Sequence, residues 1–581
     1  MPTVDIHKVF AQYFKSPELQ DIAYLLSQRL SEGNICIDIE DYNKNHQETP
    51  ISIEQLRATS YFGGAEDRKV FIEDNGKIYL QRYHYYERLI FKKIQQLSRI
   101  PSQNNLDCLL KEKKFIKDLL QIDNKSSLNQ QDLAVVLSYL SHFFILTGGP
   151  GTGKTTTVAK ILRLIFHLQN KTKVALVAPT GKAAARLKES LLSQSSLLQG
   201  DKAFETIYSG TIHRLLSYRF STRTFKYNAE NPLDYDLIIV DESSMIGVSL
   251  MAQLLSAIPA HKRIILLGDK NQLASVEAGS IFGDICLTQE QQINNLSSST
   301  HQFMKHFFDT KELKIATEVN VLTDRLIELQ TSYRFKDEEG IGKISKAIIK
   351  GQLHIKDLER TIKSPDKESV IWSNDYESPL LTEFIVSYKN YIQEPDILTA
   401  IRQLNKVRVL CAVQDGSFGT HYYNQKISQY LKTQNWLNPS PGPYHNQAIM
   451  ITKNDYHLHL FNGDIGLIRY NENNELWAYF EDENENIKAY KAHHLSHYVS
   501  AYAMTIHKSQ GSEFDKVVII LPDNKDMAIL TRELLYTGVT RAKKSVLLLS
   551  PENVILSTVK KAVHRASGIS ERILQTHSST T

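Results

Sequence analysis

An apolar run that breaks into a glycine-rich loop constrains this chain more than any other feature. Residues 144–155 read Phe-Ile-Leu-Thr-Gly-Gly-Pro-Gly-Thr-Gly-Lys-Thr, and Val158, Ile161, Leu162 and Ile165 follow at helical spacing. Gly148 and Gly153-Lys154-Thr155 satisfy the phosphate-binding pattern G-x-x-x-x-G-K-[ST]. Glycines let backbone N–H groups turn inward around phosphate oxygens, and the next helix adds its positive dipole end. Lys154 is placed to reach the β- and γ-phosphates, and the Thr155 hydroxyl to hold Mg²⁺. The alternative, a chance glycine loop on a surface, does not explain the strand before it or the amphipathic helix after it. The pattern therefore predicts a nucleoside triphosphatase with a parallel α/β core.

The flanking sequence supports that core. Strand-like runs at 143–146, 174–178, 237–240 and 263–267 alternate with helical patterns, which implies right-handed βαβ crossovers. Residues 1–115 read as mostly helical, with an unusually aromatic stretch at 79–87 that suits a core or a partner surface, and a linker near 101–105. Residues 286–330 read as polar and helix-like. A second αβ pattern occupies 331–414 and returns at 496–581. Between them, short strand patterns at 448–452, 465–469 and 476–480 predict a small antiparallel module at 415–495. The first αβ unit spans 116–330, with a short hairpin near 216–232. The last residues, 578–581, are expected to fray.

A P-loop needs a second half. Leu237-Ile238-Ile239-Val240 runs into Asp241-Glu242. An acid at a strand's C-terminal end fits the Mg²⁺-organising carboxylate, Asp241. The next acid, Glu242, fits the base that orients or deprotonates water. A second strand ends in Gly268-Asp269-Lys270-Asn271-Gln272. Gln272 can hydrogen-bond a γ-phosphate or a water but is no strong base. Arg334 and Arg541 carry guanidinium forks that suit phosphate oxygens, although most arginines are surface or ion-paired.

Composition excludes several other classes. Hydrophobic residues make up 42% of the 581, and no apolar run approaches the roughly 20 residues of a membrane span. The start of the chain has no secretory pattern. The four cysteines, Cys36, Cys108, Cys286 and Cys411, form no C-x-x-C pair, so buried free thiols are expected rather than a zinc site or a disulfide framework. The reading is a soluble, cytoplasmic protein. Net charge of +4 permits nucleic-acid binding without demanding it.

The ordered motifs resemble those of superfamily 1 helicases, within them the 5′-to-3′ group, and more closely the RecD family, the alpha subunits of exodeoxyribonuclease V (RecBCD-type complexes). The resemblance rests on residues 148–155, 178–187 (Ala-Pro-Thr-Gly-Lys-Ala-Ala-Ala-Arg-Leu), 211–216, 241–245, 268–273, 333–335, 505–514 (Thr-Ile-His-Lys-Ser-Gln-Gly-Ser-Glu-Phe) and 536–542, and covers most of the chain. It implies two RecA-like motor domains with ATP and Mg²⁺ in the cleft between them. Carried over position by position, the catalytic set is Lys154, Glu242, Gln272, Arg334 and Arg541. The nucleotide contacts add Gln131, Gly148, Gly149, Pro150, Gly151, Thr152, Gly153, Thr155, Thr156, Gly511 and Glu513, with Thr155 and Asp241 on the metal. Strand contacts fall on Pro179, Thr180, Lys182, His213, Thr505, His507 and Lys508. For each of these a structural hydrogen bond is the rival reading.

The module at 415–495 would correspond to an SH3-like β insert, and 218–228, with its alternating basic and aromatic residues, to a strand-splitting hairpin. The narrower RecD-type resemblance rests on Gln81-Arg82-Tyr83, Asn454-Asp455-Tyr456 and Asn462-Gly463-Asp464-Ile465-Gly466. It implies a bacterial, cytoplasmic motor subunit that acts on double-stranded DNA ends and single-stranded DNA. Its N-terminal domain would dock on a RecC-like subunit, and a RecB-like subunit would carry the nuclease of the heterotrimer. Ser243 departs from the Ala usual in the acid motif. The competing readings are a stand-alone 5′-to-3′ helicase and a P-loop ATPase that regulates without translocating. A P-loop kinase is disfavoured by the paired acids and the arginine motifs.

Overall fold

The computed structural model describes residues 5–47, 50–98, 102–122, 129–194, 204, 206–219, 221–275, 277–279, 281–335, 340–359, 369–455, 457–482, 486–563 and 565–575. Tyr456 and the tail at 578–581 lie outside these, as does part of the 101–105 linker.

Among the described residues the architecture is two wholly parallel sheets, an antiparallel sheet, and a helical N-terminal region with a small sheet of its own. The first parallel sheet has the order Leu326–Leu329, Phe143–Gly148, Arg263–Gly268, Leu237–Val240, Val174–Ala178, Tyr208–Thr211. Its central strands are buried along their whole length, because helices such as Lys154–Leu168 and Val248–Ser256 cover its faces. The strands expected at 143–146, 174–178, 237–240 and 263–267 are all present. The two edge strands were not foreseen: each has four residues and gives too little pattern to read. Leu326–Leu329 falls in a stretch read as helix-like. It pairs with the P-loop strand because the excursion 286–325 folds back beside it.

The second parallel sheet has the order Ser369–Ser373, Ala542–Leu549, Phe514–Ile520, Val407–Cys411, Ala503–Thr505. The antiparallel sheet has the order Ile487–Lys491, Leu476–Glu481, Ile465–Tyr470, Gln447–Ile451, Tyr498–Ser500. It begins at Gln447 rather than near 415. The intervening helix Thr420–Thr433 buries Tyr423, Ile427 and Leu431, one helical face at i, i+4 and i+8, in the core of the second parallel sheet. The hairpin read near 216–232 is a two-stranded ribbon, Tyr218–Arg219 with Thr224–Phe225.

In the N-terminal region a four-stranded sheet, Cys36–Asp38, Lys77–Leu80, Phe71–Asp74, Phe62–Gly64, joins the helices. The aromatic stretch divides between strand and helix. Tyr79 and Tyr86 are buried, while Tyr85 is 53% exposed. Three of the cysteines are buried and free as expected, but Cys108 is exposed on the helix Gln103–Lys111.

The C-terminal segment ties the second parallel sheet back to the N-terminal region. The helix Ile569–Leu574 packs against Gln81–Leu97 and Ile281–Leu287. Glu87, with no exposed surface, accepts from Arg572 Nε at 2.9 Å, Gly568 N at 2.7 Å and Tyr79 Oη at 3.2 Å. The Arg572 guanidinium also pairs with Asp74, and Lys77 Nζ sits 2.5 Å from Glu571. A buried carboxylate left without its cation is costly. Arg572→Ala should therefore destabilise the protein by about 3–5 kcal/mol in chemical denaturation, and a change below about 1 kcal/mol would show that Glu87 is held by its neutral donors alone.

Candidate functional site

The cleft between the two parallel sheets has a volume of about 590 Å³. It collects nearly every residue carried over for the nucleotide: Gln131, Pro150 to Thr156, Asp241, Glu242, Gln272, Arg334, Gly511, Glu513 and Arg541. Gly148 and Gly149 stand behind the loop. Their carbonyls accept from Lys154 Nζ at 2.6 and 3.1 Å. Two glycines have no substitute here. Gly151 (φ +77°) faces Arg334, whose Cβ would lie 2.3 Å from an added Cβ. Gly153 (φ +84°) faces Gln131, whose amide nitrogen would lie 2.2 Å away. Gln131 Nε2 donates to Thr152 O at 3.0 Å, which fixes a buried amide at the loop's rim.

The acids lie at the C-terminal end of Leu237–Val240. Burial, with Glu242 beside it, pushes the Asp241 carboxyl up. Asp241 Oδ1 also accepts from Glu242 N at 2.8 Å, and Glu242 itself sits in left-handed backbone (φ +50°). A glutamate in that conformation is strained, and such strain gathers at functional positions. Ser243 is absorbed without disturbance: its hydroxyl donates to Val240 O at 3.1 Å.

The two sheets meet through polar links. Arg541, 2% exposed, donates Nη2 to Gln272 Oε1 at 2.5 Å, Nε to Thr537 O at 3.2 Å and Nη1 to Ser512 O at 3.2 Å. Leu273 N donates to Thr537 Oγ1 at 2.9 Å, and Gln510 Nε2 to Leu273 O at 2.8 Å. Burial alone would raise the Glu513 carboxyl, but Arg186 and Arg334 hold it well below the usual carboxylate range. Arg334 Nη1 lies 2.7 Å from Glu513 Oε1, and Arg186 pairs with the same oxygen. Sequence reasoning quoted Arg186 but gave it no role. Its signal was its place four residues after Lys182 on the helix Gly181–Leu192. Tyr333, 66% exposed on the cleft wall, and Asp269 were likewise passed over.

The strand-contact set lies outside this cleft. Lys182, His213 and Lys508 are open to solvent, yet protein surrounds them closely enough to lower the pKa of each, that of Lys182 to about 8. His507, half-buried, is lowered in the same way. The ring of His213 packs at 6.0 Å from Tyr218 and 5.7 Å from Phe225 of the ribbon. Phe461 of the antiparallel module receives Arg214, whose guanidinium carbon lies 4.5 Å from the ring centroid. The threonines have local duties as well. Thr180 caps the helix Gly181–Leu192 through Ala183 N, and Thr505 Oγ1 accepts from Lys508 N at 3.4 Å. Pro179 ends the Val174–Ala178 strand ahead of that cap.

Two parallel sheets facing each other across a P-loop cleft, with the acid pair and Arg334 on the side of the first sheet and Glu513 and Arg541 on the side of the second, define a P-loop NTPase of the helicase type. Comparison with known proteins agrees. Residues 131–278 match the AAA domain family and 500–549 the UvrD-like helicase C-terminal domain. RecBCD enzyme subunit RecD of Haemophilus influenzae is 35% identical over 473 residues, covering 76% of this chain and 71% of its own. The Mycobacterium tuberculosis protein of the same name is 30% identical, covering 98% and 95%. The chain belongs to the RecD family. The ATP-dependent RecD2 DNA helicase of Deinococcus radiodurans is 28% identical over 72% of this chain and 48% of its own. Among solved structures, Pif1 helicase from Candida albicans aligns with a TM-score of 0.39 at 16% identity, covering 75% of this chain and 96% of that one.

Gly153 sits in left-handed backbone, and an added Cβ there would meet the Gln131 amide. Gly153→Ala should cost about 1–3 kcal/mol of stability by thermal or denaturant unfolding. An unchanged midpoint would mean that the loop relaxes away from Gln131.

Proposed function

We propose that this chain is an ATP-dependent 5′-to-3′ DNA helicase, the motor subunit of a RecBCD-type exonuclease V that processes double-strand ends in repair and recombination. Its membership of the RecD family supports the setting. The observation that carries the motor reading is the cleft itself: the P-loop, the acids and Arg334 follow strands of the first parallel sheet, Glu513 and Arg541 precede strands of the second, and direct hydrogen bonds join the two sides. A nucleotide bound there touches both halves, so its hydrolysis changes their relation.

In this reading Lys154 exchanges its carbonyl partners for β- and γ-phosphate oxygens. Glu242 orients or deprotonates the attacking water, and Gln272 senses the γ-phosphate. Arg334 and Arg541 stabilise charge on the transferred phosphoryl group. The donor set suits Mg²⁺: the Thr155 hydroxyl, and an Asp241 carboxylate whose burial and acidic neighbour favour a bound cation. When bound, the ion would neutralise phosphate charge. Among the described residues no group of three or more histidines, cysteines and acids forms an all-protein metal site. This fits an ion that takes its remaining ligands from phosphate and water.

The surface that carries Pro179, Thr180, Lys182, His213, Thr505, His507 and Lys508 is the proposed path of single-stranded DNA. Its hydroxyls and cations contact backbone without reading sequence. In domain terms, the N-terminal region 1–115 docks on a RecC-like partner, the two parallel sheets with their helices, Thr420–Thr433 included, form the motor, and the antiparallel sheet that starts at Gln447 is the insert beside the strand. A RecB-like subunit completes the heterotrimer in a bacterial cytoplasm. Among the described residues no helix is long and apolar enough to cross a membrane.

The deciding experiment is ATPase activity with and without single-stranded DNA, followed by unwinding of duplexes carrying a 5′ or a 3′ tail. Stimulation with unwinding from the 5′ tail alone is expected. Preference for the 3′ tail would reverse the polarity. Activity without any partner subunit would favour a stand-alone helicase, and hydrolysis indifferent to DNA in the assembled complex would favour a regulatory ATPase.

Lys154→Gln should abolish hydrolysis in a folded protein, and Glu242→Gln should keep nucleotide binding while stopping turnover. Arg541→Ala should lower kcat by on the order of 10³, and a wild-type rate would remove it from the site. Strand affinity should also depend on pH. Lys182 titrates near pH 8, and its charged form binds phosphate. Affinity is therefore full below that pH and falls as pH rises through it, with the step absent in Lys182→Gln. A pH-independent affinity between 7 and 9 would exclude Lys182 from the path.

A further inference from the structure

The carboxylate of Asp269 lies deep in the nucleotide cleft, 2% exposed, and the chemistry above gives it no part. It is not a spare charge. Oδ1 accepts from Asn271 N at 3.0 Å. Oδ2 accepts from two donors, Gln272 Nε2 at 3.2 Å and Tyr536 Oη at 2.9 Å. Tyr536 belongs to the other half of the protein, on the helix Arg532–Val539, and is 3% exposed with its hydroxyl beside Gly149 of the P-loop. The hydroxyl thus reaches across the cleft to the foot of the loop.

The consequence concerns an amide. A primary amide has a donating and an accepting end, and its neighbours decide which way it faces. Asp269 can only accept while ionised, so it draws the –NH₂ of Gln272 toward itself. The amide oxygen then faces away, toward Arg541 Nη2 at 2.5 Å. Tyr536 supplies one of the hydrogen bonds that keep Asp269 ionised and in place. Burial pushes that carboxyl up, and the donors and Lys154 oppose the push. Tyr536, Asp269, Gln272 and Arg541 are therefore one chain of hydrogen bonds that crosses the cleft twice.

We propose that Tyr536 is a positioning residue for ATP hydrolysis: through Asp269 it sets the orientation of the Gln272 amide, and with it the place of Arg541. This deepens the reading of the cleft as the nucleotide site and rests on it. Tyr536 and Asp269 touch no reacting atom. They determine whether the γ-phosphate sensor and the arginine opposite it are delivered together.

Tyr536→Phe keeps the ring and removes only the donor, while Asp269→Asn attacks the same bond from the other side. In Asp269→Asn the amide can present its own N–H groups where the carboxylate accepted, which favours the opposite orientation of Gln272. Steady-state ATPase of the full chain, stimulated by single-stranded DNA, is measured for wild type, both single variants, the double variant and Lys154→Gln. Loss of one hydrogen bond to a charged group corresponds to roughly ten- to a hundredfold in rate. The expected result is that Tyr536→Phe lowers kcat by that factor with KM for ATP nearly unchanged. The acid limb of its pH–rate profile moves to higher pH, because Asp269 has lost a donor that favoured its ionised form. The double variant should be no slower than Asp269→Asn alone, since both changes break the same chain.

A merely structural role would lower the unfolding midpoint and leave the acid limb where it is. That result, a wild-type kcat in Tyr536→Phe, or losses that multiply in the double variant would overturn the proposal. If Tyr536→Phe does not fold, the acid limb and kcat/KM split of Asp269→Asn decide instead: kcat and KM both at wild-type values overturn the proposal. Lys154→Gln separates the two levels of inference. If it hydrolyses ATP like wild type, the cleft reading falls and this proposal with it. If it is inactive while Tyr536→Phe is normal, this proposal alone falls.

Discussion

Parallel strands place all their C-terminal ends at one edge, and in this protein that constraint decides where the chemistry lies. Phe143–Gly148 ends in the P-loop, Leu237–Val240 in Asp241-Glu242, and Arg263–Gly268 in Asp269 and Gln272. Leu326–Leu329 leads to Tyr333 and Arg334. In the second sheet, Ala503–Thr505 delivers His507 and Lys508. Residues hundreds of positions apart meet because each sits at the same end of a strand in register with its neighbours. The sheets can be wholly parallel only because helices bury both faces, which is why the strands read as unbroken apolar runs.

The cleft between this edge and the starts of Phe514–Ile520 and Ala542–Leu549 gathers charge, and charge away from water must be matched. Glu513 takes Arg186 and Arg334, Gln272 takes Arg541, and Asp269 takes Tyr536. These links have a double character. They stabilise the two halves in one relation, and they are made from the groups a triphosphate would recruit. Arg334 cannot serve Glu513 and a phosphate with the same N–H groups. In the proposed reading, ligand binding in this cleft would rearrange the cross-cleft links and so couple chemistry at the loop to the position of the far sheet.

Legibility in the sequence followed the strength of the local pattern. The P-loop, the acid pair and the long central strands were readable because a period, a breaker and a chemical residue coincide within a dozen positions. Four-residue strands such as Tyr208–Thr211 and Leu326–Leu329 carry no such coincidence; tertiary pairing, not propensity, makes them strands. The same holds for the small N-terminal sheet, whose three- and four-residue strands lie among helices. The start of the antiparallel module was misplaced because a loop composition continues into Thr420–Thr433, where only the partner surface identifies the helix as part of the second core. At the site, Arg334 and Arg541 were legible as candidates and not as neighbours. Their shared cleft depends on the fold, as does the role of Asp269, which in sequence is an ordinary acid after a glycine.

The residues of the proposed strand path illustrate how environment changes what a side chain can do. Lys182 and Lys508 are exposed and would ordinarily be fully charged at any physiological pH. The protein mass around them lowers both pKa values, because neighbouring chain displaces the water that stabilises an ammonium. In the proposed strand path a phosphodiester beside these side chains would favour their charged form, and Tyr218 and Phe225 of the ribbon, both partly exposed, would offer faces on which bases can stack without regard to their identity. Backbone charge and indifferent stacking are what a translocating motor requires, because it must hold every sequence equally and release each one in turn.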